Sequence, residues 1–155
     1  MKIKAETISG DLIEIEQKDL RWRVSAYGVL VENNQILLLK NALTKSELFL
    51  PGGEVEINED IPQAIKREFV EEVGISVEVD SMIYYRESFF KGPRQGAFHS
   101  IQLFFNVKKI KAIKNTVTDK HVRDVQWYSL NQLSSLSLAP QIKFLNSAQV
   151  LNFIR

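Results

Sequence analysis

Apolar residues recur at every second position through much of the chain and at every fourth through one stretch, dividing it into strands and a helix. Ile3 to Thr7 and Leu12 to Ile15 alternate around Ser9-Gly10-Asp11, which predicts an N-terminal hairpin over about residues 1–16 with a structural role. Arg21 to Val31 and Ile36 to Leu39 read as strands joined at Asn33-Asn34, a tight-turn pair. Further strands are predicted at Val77 to Tyr85, Ser100 to Val107 and Val125 to Tyr128, with a loop at Lys91-Gly92-Pro93-Arg94-Gln95-Gly96 between the first two.

The fourfold spacing falls at Ile61, Ile65, Phe69 and Val73, the buried stripe of an amphipathic helix. Asp60 can cap its start, with Gln63 as reciprocal partner and Pro62 in the first turn, where a missing N–H does no harm. Gly74 can turn left-handed and end the helix after about 13 residues. Leu130 opens a short helical turn, and Pro140 opens a terminal helix over about 140–154 with Ile142, Leu145, Ala148 and Leu151 on its apolar face. Strands enclosing a central helix, with a terminal helix covering the other sheet face, give an α/β fold: an α/β/α sandwich around a mixed β-sheet.

At 155 residues, 45% apolar and 25% charged, the chain reads as one domain, 1–155, with a sizeable core. A net charge of +1 leaves no strong electrostatic footprint for nucleic acid, and Lys108, Lys109, Lys111 and Lys114 read as a solvated strand end and loop. With no cysteine there is no disulfide, thiolate zinc site or thiol nucleophile. No 18-residue apolar run or signal peptide is found, so no membrane partner and a cytoplasmic location are expected. The oligomeric state stays open, a homodimer being one option.

Three acids, Glu68, Glu71 and Glu72, crowd one region of the predicted helix. At roughly 100° per residue, Glu68 and Glu72 lie within about 40° of each other and Glu71 about 60° further round. Such a cluster repels itself and opposes the helix dipole. It is either a solvated acidic face neutralised by Lys66 and Arg67, or a site for a hard divalent cation, which takes carboxylates, waters and substrate phosphates. Just upstream, Phe49-Leu50-Pro51-Gly52-Gly53 reads as a strand ending in a loop that bends sharply or approaches a ligand closely.

The stretch Gly53 to Ile75, GEVEINEDIPQAIKREFVEEVGI, has Gly53, Glu59, then Arg67-Glu68, Glu71-Glu72 and Gly74 at the spacing of the Nudix box, with every fixed position filled. It resembles the Nudix hydrolases, and the resemblance implies their sandwich fold over about Trp22 to Leu130. It also implies Mg²⁺, with Mn²⁺ as a substitute, held by Glu68, Glu71, Glu72 and the carbonyl of Gly52. For Gly52 a plain strand-to-loop turn is an equal alternative. Glu68 or Glu71 is the expected general base, Arg67 an ion-pair partner that holds a catalytic Glu in position, and Glu59 a supporting acid outside the ligand set.

The chain departs from the family pattern in three places. Phe69 replaces an aliphatic residue, Glu54 stands where a small residue is common, and Gln126 precedes Trp127 where some members carry a late acid. Asp119, His121 and Asp124 are the available substitutes, and His121 also reads as a plain loop histidine. Phe89, Phe90, Tyr84, Tyr85 and Trp127 are candidates for stacking on a base, with Phe89 and Phe90 foremost and Trp127 next. His99 reads as a hydrogen-bonding strand residue. Arg23, with Arg21, Arg86 and Arg94, is a candidate phosphate clamp. The reading is a Mg²⁺-dependent hydrolase of a diphosphate bond in a small-molecule nucleoside diphosphate derivative: a nucleotide sugar, ADP-ribose, a dinucleotide or a nucleoside triphosphate. The alternative is a binding or regulatory module of the same fold without turnover. An isopentenyl diphosphate isomerase is set aside because the cysteine that reading implies is missing.

Overall fold

A computed structural model describes residues 1–113 and 117–154; Lys114 of the basic run lies outside the described residues. The strands are β1 (Lys2–Thr7), β2 (Leu12–Glu16), β3 (Leu20–Glu32), β4 (Gln35–Asn41), β5 (Leu48–Phe49), β6 (Gly52–Glu54), β7 (Ile75–Gly92), β8 (Gly96–Ala112) and β9 (Val122–Ser129). They form one mixed sheet in the order β2-β1-β7-β8-β3-β4-β5, with β6 on β3 and β9 on β4. The long β3 sets the frame: it runs parallel to β8 from Leu20 opposite Ala97 to Leu30 opposite Val107, and antiparallel to β4 and β6.

Local chemistry explains the connections. Asn33 and Asn34 both adopt positive φ (50° and 61°), which a two-residue hairpin loop demands and asparagine tolerates, so Val31 faces Ile36 across β3 and β4. The loop expected at Lys91 to Gly96 is shorter than the sequence implies. Strands β7 and β8 stay paired out to Gly92 and Gly96, because Gly96 supplies the positive φ (99°) that closes a tight turn.

Each sheet face buries its own core. On one face, Ala26, Leu30, Leu37, Val77 and Val107 pack against Ile65 and Phe69 of the helix α1 (Ile61–Glu68) and its continuation. A Cβ on Gly28 would lie 2.4 Å from the Phe69 ring, so the helix rides close on β3 and the box's unusual Phe is fully buried. A fully buried Phe contributes about 1.5–3 kcal/mol, which makes Phe69 an anchor for the acids around it. On the other face, Val29, Ile36, Leu38 and Phe104 meet Leu133, Ile142, Leu145 and Val150. The result is an α/β/α sandwich around a mixed sheet.

The terminal helix expected over 140–154 is broken. A 3₁₀ helix covers Pro140–Asn146, Ser147 is extended (ψ 136°), and α2 runs Ala148–Ile154. The Ser147 hydroxyl accepts from the Val150 N–H at 3.3 Å, a restart cap. That restart shifts the phase, so Val150 and Ile154 are buried, Leu151 is half-buried against the same core, and Ala148 is exposed.

Candidate active site

The box helix begins with a reciprocal cap. Gln63 N–H donates to Asp60 Oδ1 and Asp60 N–H to Gln63 Oε1, both at 2.8 Å. It is α-helical only to Glu68. Phe69–Val73 form a π turn, ended by Gly74 at φ 69°. The single 13-residue α-helix is therefore corrected to an α-helix with a widened last turn. The Glu71 carbonyl accepts from the N–H groups of Thr118 (2.8 Å) and Asp119 (3.2 Å). Those two bonds pin a loop from far along the chain to the acidic turn and deliver Asp119 to the site.

Glu72 is buried, 8% exposed, and its Oε2 accepts from Gly52 N–H at 2.8 Å. Burial is the main force on its carboxyl and, with the negative charges of Glu68, Asp119 and Glu71, pushes it up to about 8, although the Gly52 hydrogen bond pulls the other way. Glu68 is likewise raised, first by burial and then by Glu71 and Asp119, while Arg67 opposes the rise. A Cβ on Gly53 would lie 2.5 Å from Glu68 Oε1, so the carboxylate rests directly on that glycine. Glu71 sits at the rim, its side chain 42% exposed.

Arg67 ties the acids together. Its guanidinium donates to Glu59 through Nε (3.0 Å) and Nη2 (2.6 Å), to Glu68 Oε1 at 2.9 Å, to Glu71 Oε2 at 3.3 Å and to the Glu54 carbonyl at 3.0 Å. The helical spacing singles out Glu71 as its partner, but the two-pronged contact goes to Glu59, because a fork matches a carboxylate end-on. The Arg67 hydrogen bonds hold the Glu59 carboxyl below the usual range, with the Glu56 N–H assisting. The same partners keep Arg67 firmly charged.

Glu68 and Glu72 line a cleft of about 410 Å³, whereas Arg67, Glu59 and Glu71 are not among its lining residues. Gly52, Gly53, Glu68, Glu72, Asp119 and His121 line it together with Arg23, Phe90, Arg94 and Gln95. Arg23 is braced by Gln95 Oε1 (2.9 Å), Ser25 Oγ (3.2 Å) and the Glu54 carboxylate (3.7 Å). Of the late candidates, Asp119 and His121 reach the cleft. Asp124 instead accepts from Gln126 at 2.7 Å.

Four of the five stacking candidates are not brought to the cleft. Phe89 points to the opposite side of β7 from Phe90, as strand alternation requires, and meets the His99 ring at 4.7 Å. Trp127, opposite Leu37 on β4, packs against the helix-side core. Tyr84 stacks on Phe144 at 4.1 Å, and Tyr85 is exposed and outside the lining. Arg86 pairs with Glu6, and Arg21 donates to the Gln95 carbonyl, so neither lines the cleft. Three residues with no motif of their own also line it. Ser25, Ser100 and Gln102 are buried polar groups on β3 and β8, and all three line the cleft. The signal lies in the alternation: Phe98, Ser100, Gln102 and Phe104 share the buried phase of β8, and two of the four are polar.

Among the described residues no group of three or more acidic or histidine side chains is placed to hold a metal ion by itself. The donor set is oxygen-only, sheltered and self-repelling, which fits a hard divalent ion that keeps waters and takes further oxygens from a phosphate.

The NUDIX domain family profile matches residues 20–147. The chain belongs to the NUDIX family. An ADP-ribose pyrophosphatase of Methanocaldococcus jannaschii is 31% identical over 116 residues, which cover 74% of this chain and 66% of that protein. Among solved NUDIX folds, a NUDIX hydrolase from Nitrosomonas europaea superposes with a TM-score of 0.71 at 17% identity, over 87% of this chain and 92% of the other. A MutT protein from Methanosarcina mazei gives 0.68 at 18% identity, over 88% and 99%. An ADP-ribose pyrophosphatase from Streptococcus suis gives 0.61 at 17%, over 87% and 93%. The NUDIX fold is thus shared at low identity, and the box residues Gly53 to Ile75 lie inside the matched region. No helix among the described residues is long and apolar enough to cross a membrane.

Proposed function

We propose that this NUDIX protein is a Mg²⁺-dependent hydrolase that cleaves the diphosphate bond of a nucleoside diphosphate derivative, with ADP-ribose the first substrate to test. One observation carries the reading: Glu68 and Glu72 are both sheltered in one cleft and both raised in pKa, chiefly by burial and further by the negative charge of Asp119, although Arg67 pairs with Glu68. A fold seldom retains such a repelling, desolvated set unless a ligand offsets its cost.

Glu68, Glu71, Glu72 and the Gly52 carbonyl are the proposed metal-holding groups. A bound divalent ion supplies Lewis acidity toward a phosphoryl oxygen and neutralises charge on the departing phosphate. Glu68 is the proposed group that takes the proton from the attacking water. Support for Glu68 over Glu71 comes from its lining the cleft and from its fixed orientation between Arg67 and Gly53. Arg67 positions that carboxylate and stays charged, with Glu59 holding Arg67 in turn. Arg23 and Arg94 stand on the same cleft and offer guanidinium groups to the phosphates. Phe90 offers an apolar ring to the organic part of the substrate.

The test is hydrolysis of a panel with Mg²⁺ or Mn²⁺: ADP-ribose, nucleotide sugars, dinucleoside polyphosphates, NADH and nucleoside triphosphates. Metal-dependent release of a nucleoside monophosphate from at least one diphosphate, abolished by a chelator, is expected. Binding without turnover across the panel would convert the reading to a binding module.

A further inference from the structure

One residue lining the cleft, Gln102, carries a hydrogen-bond acceptor that the fold leaves unpaired. Gln102 is 7% exposed, and its Oε1 is buried with no hydrogen-bond partner among the described residues. An orphaned buried acceptor costs free energy that folding alone does not recover, so it calls for a reason. Its position supplies one. Gln102 lies opposite Ser25 on β3, and Ser25 lies opposite Glu54 on β6, so all three occupy one row across the sheet. Two strand spacings place Gln102 about 10 Å from the loop that carries Gly53. Ser100 is one step along the same face of β8, opposite Arg23, and Phe90 lies opposite Phe98 one step beyond that. The cleft thus runs from acids, through a polar floor of Ser25, Gln102 and Ser100, to an aromatic ring.

Resting on the diphosphate hydrolase reading, we infer that Gln102 is a specificity-determining residue whose amide turns in the cleft when substrate binds, so that the enclosed Oε1 becomes accessible and accepts a hydrogen bond from a hydroxyl of the sugar attached to the diphosphate. The order of the floor matches the order of such a substrate, charged phosphates first and a hydroxylated ring next. Ser100 adds a hydroxyl that can both donate and accept, as neighbouring sugar hydroxyls do. The Ser25 hydroxyl already accepts from Arg23 Nε, which leaves Gln102 as the acceptor that a ligand must satisfy. An apolar group in that place would leave the orphan unpaired, so discrimination against hydroxyl-free substrates follows without any steric exclusion.

The experiment compares three ligands by calorimetry under chelating conditions, so that binding is read without turnover or metal. They are ADP-ribose, its 2′-deoxyadenosine form, and the ADP ester whose terminal ribose is replaced by a hydroxyl-free tetrahydrofurfuryl group. The parent should bind ADP-ribose at least about tenfold tighter than one of the two hydroxyl-deficient ligands, the loss expected for one unmet buried acceptor. In Gln102→Met, which keeps the length and removes Oε1, that ratio should collapse toward one while the melting temperature holds or rises. Equal affinities in the parent, or no binding of any of the three, would overturn the inference. So would a Gln102→Met or Gln102→Leu protein that keeps the full preference or melts well below the parent. Loss of preference in a protein that hydrolyses nothing would leave the sugar reading standing and sink only the hydrolase reading.

Discussion

The Gly52 N–H donates to Glu72 Oε2 at 2.8 Å, fastening the loop after β5 to the acidic turn of the box helix. Gly52 adopts φ 141°, and a Cβ there would fall 2.3 Å from the Ala26 carbonyl oxygen. No side chain fits without moving backbone. Gly52→Ala should therefore cost about 1–3 kcal/mol of stability and most of the activity, read by denaturant unfolding and turnover. Gly53→Ala meets first the Glu68 carboxylate, a side-chain end rather than backbone, so it should cost less stability than Gly52→Ala while displacing that carboxylate and lowering turnover. Equal destabilisation by the two would show that the loop is not held in this way.

The pH dependence of apo stability follows from Glu72. Its carboxyl titrates near the ordinary 4.5 when unfolded and near about 8 when folded, so between those values the folded state holds the extra proton. Stability gained from binding protons is lost as they leave. Metal-free stability should fall as pH rises from about 5 to 8 and level off above, and Glu72→Gln should flatten that slope. Urea unfolding with chelator across that range checks it, and a parent slope unchanged by the substitution would contradict the assignment.

Much of this site is legible before any coordinates. Asp60, Gln63 and Gly74 mark the helix because caps are local chemistry, and the box spacing marks Glu68 and Glu72. The π turn at Phe69–Val73 escapes because an apolar period of four does not distinguish it from an α-helix. Asp119 is legible as a candidate late acid, but its choice over Asp124 is not, because two backbone bonds to the Glu71 carbonyl bring it to those acids. Trp127 misleads for a related reason: an aromatic residue on a strand looks the same from sequence whichever face it takes, and here that face is the core. Gln102 and Ser100 are visible only once the phase of β8 is known.

Arg67 and Glu59 should behave as a unit. Glu59→Gln leaves one oxygen to accept from the guanidinium and weakens the fork that aims Glu68, so turnover should fall by about tenfold, far less than for Glu72→Gln. Arg67→Lys should cost more than Glu59→Gln, because an ammonium cannot reach Glu59, Glu68 and the Glu54 carbonyl together. Steady-state kinetics on both variants decide this, and identical losses for Glu59→Gln and Glu72→Gln would place Glu59 among the metal-holding groups.

Phe90 and its neighbour Phe89 should separate cleanly. Phe90→Ala should raise KM several-fold with a smaller change in kcat, the mark of uniform binding. Phe89→Ala should leave KM unchanged, since its ring meets His99 away from the cleft. A KM effect at Phe89 alone would put the substrate on the other face of the sheet.

Metal should stabilise the parent. At ten times the dissociation constant, Mg²⁺ contributes about 1.4 kcal/mol, roughly 3 to 6 °C for a domain of this size. Glu71→Gln with Glu72→Gln should be no less stable than the parent without metal, and should lose the Mg²⁺ shift. Thermal melts of both proteins with and without Mg²⁺ test this, and an unshifted parent at millimolar metal would argue for a solvated acidic face.

The most direct test of the central claim is the rate of ADP-ribose hydrolysis by Glu72→Gln against the parent at saturating Mg²⁺, with the metal-free melting temperature measured alongside. A buried metal-holding carboxylate predicts a loss of at least about a hundredfold in a variant that melts no lower than the parent. A folded Glu72→Gln protein that keeps most of the parent's activity would contradict it.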